Sequence, residues 1–288
     1  MKNFSPVGLN INLPWITKFL EVFNIGGYKH FAHVLRDFED IFKREVEERL
    51  RSKDALTRDD FIGCYLQEME NRNNDSKPHT FTIENLLGNL VILFIAGNES
   101  TYAGVIWLLL LMTTYEDVQE KVHQEIDAVI GKDGTVCFDD KIKTPYTLAT
   151  IMEMARFISI NPIYPPRYPL ATFTFHGYTI PQGSHILCNI WSIMHNPKYF
   201  EKPMEFKPER FLTDDGLKVL KPTGYAPFSF GKRNCPGEVV AIMTIYLYFV
   251  SIMQKFKVKT PHGLPADFDY IFGGALLPRP QKLCFIER

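Results

Sequence analysis

Apolar positions recur with helical spacing over most of this chain. Between residues 28 and 53, Phe31, Val34, Phe38, Ile41, Phe42, Val46 and Leu50 trace one face of an amphipathic helix that ends in a charged run. A second helix is predicted over 57–70, followed by a polar loop at 71–80. Residues 82–112 predict a long helix, with Thr82 as its N-cap and Glu84 in its first turn. Val118, Val122 and Ile126 mark an amphipathic helix over 116–130, which Gly131 ends. Thr144 and Pro145 form a cap followed by a first-turn proline, opening a helix that stops before Asn161-Pro162. The period then changes. Alternation at Phe173 and Phe175, a turn at 181–184 and an apolar run from Ile186 predict short strands. Residues 203–224 read as loop, another helix begins near Pro236, and 268–286 read as a hairpin around Gly273-Gly274. The pattern predicts a mostly α fold with minor β, forming one domain over 1–288.

Two of the apolar runs resemble membrane spans. Residues 239–253 carry no charge but number only 15, fewer than the ~20 that a spanning helix needs. Residues 86–112 hold Asn89, Asn98, Glu99, Ser100 and Thr101 near their middle, and a carboxylate at a bilayer centre costs roughly 2.5–3.5 kcal/mol. Both therefore read as buried helices of a globular protein. Residues 1–11 are polar and give no secretory signal. With 45% hydrophobic residues in 288, the chain can build a sizeable core. Its 32 basic residues against 33 acidic ones give no support to nucleic-acid binding. The cysteines, Cys64, Cys137, Cys188, Cys235 and Cys284, are odd in number and include no CxxC pair. That argues against a disulfide scaffold or a structural zinc site, and for a reducing compartment.

Three groups of residues carry candidate chemistry. In 228–237 (FSFGKRNCPG), a glycine-permitted turn delivers Cys235 to the start of a helix, with Pro236 suited to the first helical position. A helix N-terminus and the neighbouring Arg233 favour thiolate, the form that ligates metal. Gly237 removes a side chain where a flat cofactor could approach the backbone. A buried structural cysteine beside an ordinary turn accounts for the same residues. Glu153 and Arg156 stand i, i+3 on one helical face; they form a surface pair worth a few tenths of a kcal/mol, or, given the apolar residues around them, a buried pair that needs further partners. Glu99, Ser100 and Thr101 follow Ala96-Gly97 inside the long apolar helix. They mark either a kink with satisfied polar groups or a functional interruption of the packing.

Residues 228–237 match the F-x-x-G-x-R-x-C-x-G haem signature of the cytochromes P-450 at all its fixed positions: Phe228, Gly231, Arg233, Cys235 and Gly237. Glu153 and Arg156 resemble that family's E-x-x-R motif, and 208–211 (PERF) its downstream P-E-R-F. Residues 96–101 resemble the family's A-G-x-D/E-T-T helix, with Ser100 where threonine is usual. Residues 58–62 resemble a stretch of the microsomal family-two branch, and Pro166-Arg167 lie where that branch has proline and a propionate-binding residue; Thr172 departs from an acid common just beyond. The resemblance implies the C-terminal portion of the cytochrome P-450 fold, without membrane anchor or first helices. It implies haem b (iron protoporphyrin IX) as cofactor, with Cys235 as the iron's thiolate ligand and Arg233 and Arg167 at the propionates. Glu153, Arg156 and Arg210 would form a structural triad, while Glu99 and Ser100, with Thr101 as a second hydroxyl, would manage protons for dioxygen. The partners implied are a small apolar substrate, dioxygen, NADPH-cytochrome P-450 reductase and cytochrome b5. The complete parent would sit at the cytosolic face of the endoplasmic reticulum membrane. The activity implied is NADPH-dependent monooxygenation. Its rivals are a haem-thiolate isomerase or dehydratase, and a truncated haem-binding fragment without turnover.

Overall fold

A computed structural model describes residues 18, 20–24, 28–52, 59–75 and 77–288. Residues 1–11, Thr57, Arg58 and the end of the predicted first helix at Lys53 lie outside the described residues. The chain divides into two compact units, with the boundary between Asn98 and Glu99.

The first unit contains α1 (Tyr28–Arg51), α2 (Phe61–Asn74) and the opening turns of α3 (Ile83–Thr114). Its core gathers Val46, Ile62, Tyr65, Leu66, Leu86 and Leu87, with Phe42 and Phe81 packed against them. Asp60 caps α2 by accepting the Gly63 N–H at 2.9 Å, and Arg49 of α1 grips the same carboxylate at 2.6 Å. Helix α2 runs through Asn71–Asn74, which the polar composition predicts as loop, because nothing before Pro78 prevents its hydrogen bonds from continuing. Thr82 accepts the Asn85 N–H at 3.2 Å, as a cap for α3 requires.

In the second unit, α3 continues from Glu99 to Thr114 beside α4 (Glu116–Val129), α5 (Pro145–Ile158), α6 (Ile190–Met194) and α7 (Glu238–Lys255). Ala103, Trp107–Met112, Val118, Val122 and Ile126 pack with Ile245, Tyr246, Phe249, Val250 and Met253 in the main core. Helix α3 approaches α7 so closely at Gly104 that an added Cβ would lie 2.7 Å from Ile245 Cδ1. The long apolar run is thus buried only in part. Ala103 and residues 107–112 are enclosed, whereas Ile92, Leu93 and Phe94 are exposed among the described residues. Burial follows what packs against each turn, and hydropathy alone does not distinguish the two halves.

Caps differ from the sequence pattern in one instructive place. Thr144 does not cap α5 with its hydroxyl, which bonds Asp140 O and Tyr246 Oη instead. The Glu125 carboxylate of α4 accepts the first free amides of α5, from Tyr146 and Thr147, at 2.8 and 2.7 Å. A helix end needs acceptors for these N–H groups, and a neighbouring helix supplies them here.

Among the described residues, three antiparallel two-stranded sheets form. β1 (Phe173–Phe175) pairs with β2 (Tyr178–Ile180) across His176-Gly177, both at positive φ, and the predicted turn at 181–184 follows, with Gly183 at positive φ and the Ser184 N–H donating to Pro181 O at 3.2 Å. The run from Ile186 contributes two isolated bridges, Ile186 to Arg167 and Asn189 to Ile163, and Asn189 also caps α6. β4 (Tyr270–Phe272) and β5 (Leu276–Pro278) form the hairpin predicted around Gly273-Gly274. β3 (Phe256–Lys259) pairs with β6 (Cys284–Glu287), bringing together segments that the sequence pattern leaves unpaired. Gln119, fully buried, ties this sheet to α3: its amide donates to Met112 O and Val258 O, and its oxygen accepts the Val258 N–H at 2.7 Å.

Candidate haem-thiolate site

Cys235 lies on a loop between Ala226 and α7. The loop turns back because Ser229 and Gly231 both take positive φ, 65° and 74°. Glycine adopts that conformation freely, whereas serine does so at a cost, so the surrounding structure must hold Ser229 there. The turn is closed by the Cys235 N–H, which donates to Phe228 O at 2.9 Å, and the Asn234 N–H, which donates to Gly231 O at 3.1 Å. Helix α7 begins at Glu238, two residues later than proline placement predicts, because Pro236 and Gly237 form a turn and Gly237 is the cap. Its carbonyl accepts the Ala241 N–H at 2.8 Å, the first bond of the helix. Cys235 therefore precedes the helix rather than opening it. Its side chain is half-buried, as are Phe228 and Gly237, while Gly231 and Arg233 are exposed.

Two side chains from the segment after α5 reach this loop. The Tyr164 hydroxyl donates to Pro227 O at 2.5 Å, and Arg167 Nη2 donates to Arg233 O at 2.7 Å. Burial, with the nearby Cys235 and Glu238, raises the Tyr164 phenol well above its ordinary pKa, so it stays protonated as the donor. Tyr164 is the contact that motif reasoning missed. The family resemblance carries Ile163–Tyr164 only as a substrate-contact region, and the flanking Pro162, Pro165 and Pro166 are the further signal in the sequence.

Glu153 and Arg156 are fully buried and paired bidentately, at 2.6 Å through Nε and 2.8 Å through Nη2. The remaining Arg156 donors bind Met194 O at 3.0 Å, Pro203 O at 2.9 Å and Glu205 O at 3.3 Å. Glu153 also accepts the Lys207 N–H at 2.8 Å and Arg210 Nε at 3.0 Å. Arg210 in turn binds the carbonyls of Glu201, Lys202 and Glu205. Every charge thus has the partners that a buried ion pair needs. The network also reaches the cysteine loop. Met194, whose carbonyl Arg156 holds, accepts the Ala226 N–H on its sulfur at 3.3 Å, just before the loop begins.

Glu99, Ser100 and Thr101 are half-buried on α3 at the start of the second unit. Burial raises the Glu99 carboxyl above the ordinary glutamate pKa, so it holds a proton more firmly than a solvated acid does. These residues form a constellation apart from the hydrogen bonds of the Cys235 loop.

The donor set bears on whether the loop suits the haem that the resemblance implies. Among the described residues, no group of three or more His, Cys, Asp or Glu side chains could hold a metal. A metal on Cys235 would accordingly draw its other ligands from a cofactor, as a macrocycle provides. A Cβ added at Gly237 would stand 3.8 Å from the Cys235 sulfur, so glycine leaves the approach to that sulfur open. Phe230, Val239 and Val240, which flank the loop, are exposed apolar surface of the kind that a flat hydrophobic group covers. These residues suit a haem.

Comparison with known proteins bears on the family. The Cytochrome P450 family model matches residues 7–285. Cytochrome P450 2U1 of Mus musculus is 38% identical over 264 residues, which is 91% of this chain and 50% of that protein. Cytochrome P450 2C23 of Rattus norvegicus is 37% identical over 279 residues, 96% of this chain and 55% of that protein. Cytochrome P450 2G1 of Rattus norvegicus is 33% identical over 297 residues, covering 100% of this chain and 59% of that protein. The chain spans about half the length of the curated relatives it matches. A family model that runs through nearly all of the chain, together with an open cysteine loop braced by a buried charge network, leads to one conclusion: this chain belongs to the cytochrome P450 family.

Proposed function

We propose that this chain carries the thiolate ligand and the proton-managing helix of a haem-dependent monooxygenase. The reaction places one oxygen atom of dioxygen into a small apolar substrate, with electrons that come from NADPH. The observation that carries this reading is the Cys235 loop: a half-buried thiol, held by its own backbone bond, with a glycine keeping its approach open. Haem b, once bound, would supply dioxygen activation, which an electron-donating thiolate favours.

The chain's own residues do the rest. Cys235 is the iron ligand, and Arg233 and Arg167 are the cations for the propionates. Phe228, Gly231 and Gly237 shape the bed on which the macrocycle rests. Glu99 keeps a proton on its carboxyl because burial opposes ionisation, and the neighbouring Ser100 hydroxyl can accept and donate in relay. Glu153, Arg156 and Arg210 act as scaffold. NADPH-cytochrome P450 reductase and cytochrome b5 are the proposed electron donors, at the cytosolic face of the endoplasmic reticulum membrane. The test is the reduced carbon monoxide difference spectrum of the haem-loaded chain. A thiolate-type Soret band is expected, and a band of imidazole type would overturn the reading.

A second expectation concerns coupling. Positioned acid–base groups typically contribute ~10²–10⁴-fold, and Ser100→Ala removes one hydroxyl while Glu99 remains. In a turnover assay this change is expected to lower product formed per NADPH by about tenfold, less than that range because Glu99 and Thr101 remain, and to raise hydrogen peroxide release. Haem and substrate binding should be unchanged. Ser100→Thr should match or exceed the unsubstituted protein, since a β-branched side chain holds its hydroxyl in fewer rotamers. Unchanged coupling in Ser100→Ala would pass the role to Thr101, and unchanged coupling in the double change with Thr101→Ala would remove it from this segment.

A further inference from the structure

We infer that Tyr164, seconded by Arg167, is a positioning residue for the Cys235 sulfur, clamping both ends of the cysteine loop by its backbone carbonyls. The inference rests on the thiolate reading of Cys235 and adds to it a residue outside the family signature.

The geometry is a two-point grip from one short segment. Tyr164 holds Pro227 O, immediately before Phe228, and Arg167 holds Arg233 O, two residues before Cys235. Between these points lies the Cys235 N–H to Phe228 O bond that closes the loop. The Pro227 carbonyl shares one rigid peptide plane with the Phe228 N–H, so holding it fixes the plane from which Phe228 enters the loop. The gripping segment is itself anchored. Arg167 N donates to Ile186 O at 2.8 Å, Ile186 N donates back to Arg167 O at 2.9 Å, and Tyr164 N donates to Cys188 O at 3.3 Å. Proline at 162, 165 and 166 removes three of the segment's φ freedoms. A stiff, anchored segment pulling on two carbonyls holds Ser229 in its left-handed conformation and keeps the sulfur in one place.

Tyr164 is expected to act through the loop and not through overall stability. Amide exchange of the 288-residue chain reports loop opening directly, whether or not haem is present. In Tyr164→Phe, exchange at the Cys235 amide is expected to quicken about fivefold, the ratio that a net hydrogen bond of ~1 kcal/mol gives. Amides inside Glu238–Lys255 should keep their rates. Tyr168→Phe, which alters a neighbouring exposed ring, should change neither. Should Tyr164→Phe fold poorly, 3-fluorotyrosine at 164 preserves the shape and makes the phenol a stronger donor, so Cys235 exchange should slow. In the haem-loaded chain, the ratio of thiol-type to thiolate-type bands with carbon monoxide should rise about fivefold in Tyr164→Phe, by the same free-energy difference. Cys235 exchange that ignores both changes at Tyr164 overturns the clamp. Faster exchange with an unchanged band ratio equally overturns the positioning role. If the unsubstituted chain gives no thiolate band at all, the thiolate reading fails, and the exchange measurements still decide the clamp.

Discussion

Cys235→Ala is expected to abolish the thiolate-type Soret band completely, while replacing Cys64, Cys137, Cys188 or Cys284 leaves it intact. The prediction follows from position. Cys64, Cys137 and Cys284 are exposed, and Cys188 lies in the segment that anchors Tyr164. Only Cys235 stands on a closed loop with an open approach to its sulfur. No set of three or more protein donors among the described residues offers an alternative metal site. Alanine keeps the loop's backbone bonds, so the variant should retain its fold while losing the ligand. Far-ultraviolet circular dichroism and the reduced carbon monoxide spectrum, recorded on the same samples, separate ligand loss from unfolding. A band that survives Cys235→Ala and disappears with one of the other four changes would reassign the ligand.

Arg156→Ala is expected to destabilise the protein by about 3–5 kcal/mol, since removing one partner of a buried pair strands the other charge. Glu153 would be left fully buried with only Arg210 and one amide as donors, the carbonyls of Met194 and Pro203 would lose the Arg156 donor, and that of Glu205 would keep only Arg210. Against a typical total of 5–15 kcal/mol, that is a large share. Arg156→Lys should recover only part, because an ammonium cannot make the planar two-bond pairing. Urea unfolding midpoints provide the measurement. The comparison is Arg72→Ala, which breaks an exposed pair with Glu68 and should cost no more than about 0.5 kcal/mol. Equal costs at the two sites would mean that the buried network carries no special burden. Because Met194 links this network to Ala226, a partly unfolded Arg156→Ala protein should also show faster exchange at the start of the cysteine loop.

Sequence alone determined the elements whose signals are local. The 3.6-residue spacing of Val118, Val122 and Ile126 defines α4, and the Thr144-Pro145 and Asn161-Pro162 boundaries bracket α5. The five fixed residues of 228–237 identify the family, because a positive-φ glycine, a cation and a thiol at set intervals rarely coincide by chance. What tertiary structure decided is which groups satisfy one another. Nothing near Glu153 in the chain foretells that Met194, Pro203 and Lys207 complete its network, since a buried charge takes whichever backbone groups the fold brings within reach. The same holds for Glu125 capping α5, for β6 finding β3, and for Tyr164 reaching Pro227 across 63 residues. Part of the apolar α3 helix is enclosed and part is exposed for the same reason. Periodicity and motif are properties of neighbours along the chain. Burial, capping in trans and hydrogen-bond satisfaction are properties of neighbours in space, and only packing chooses those.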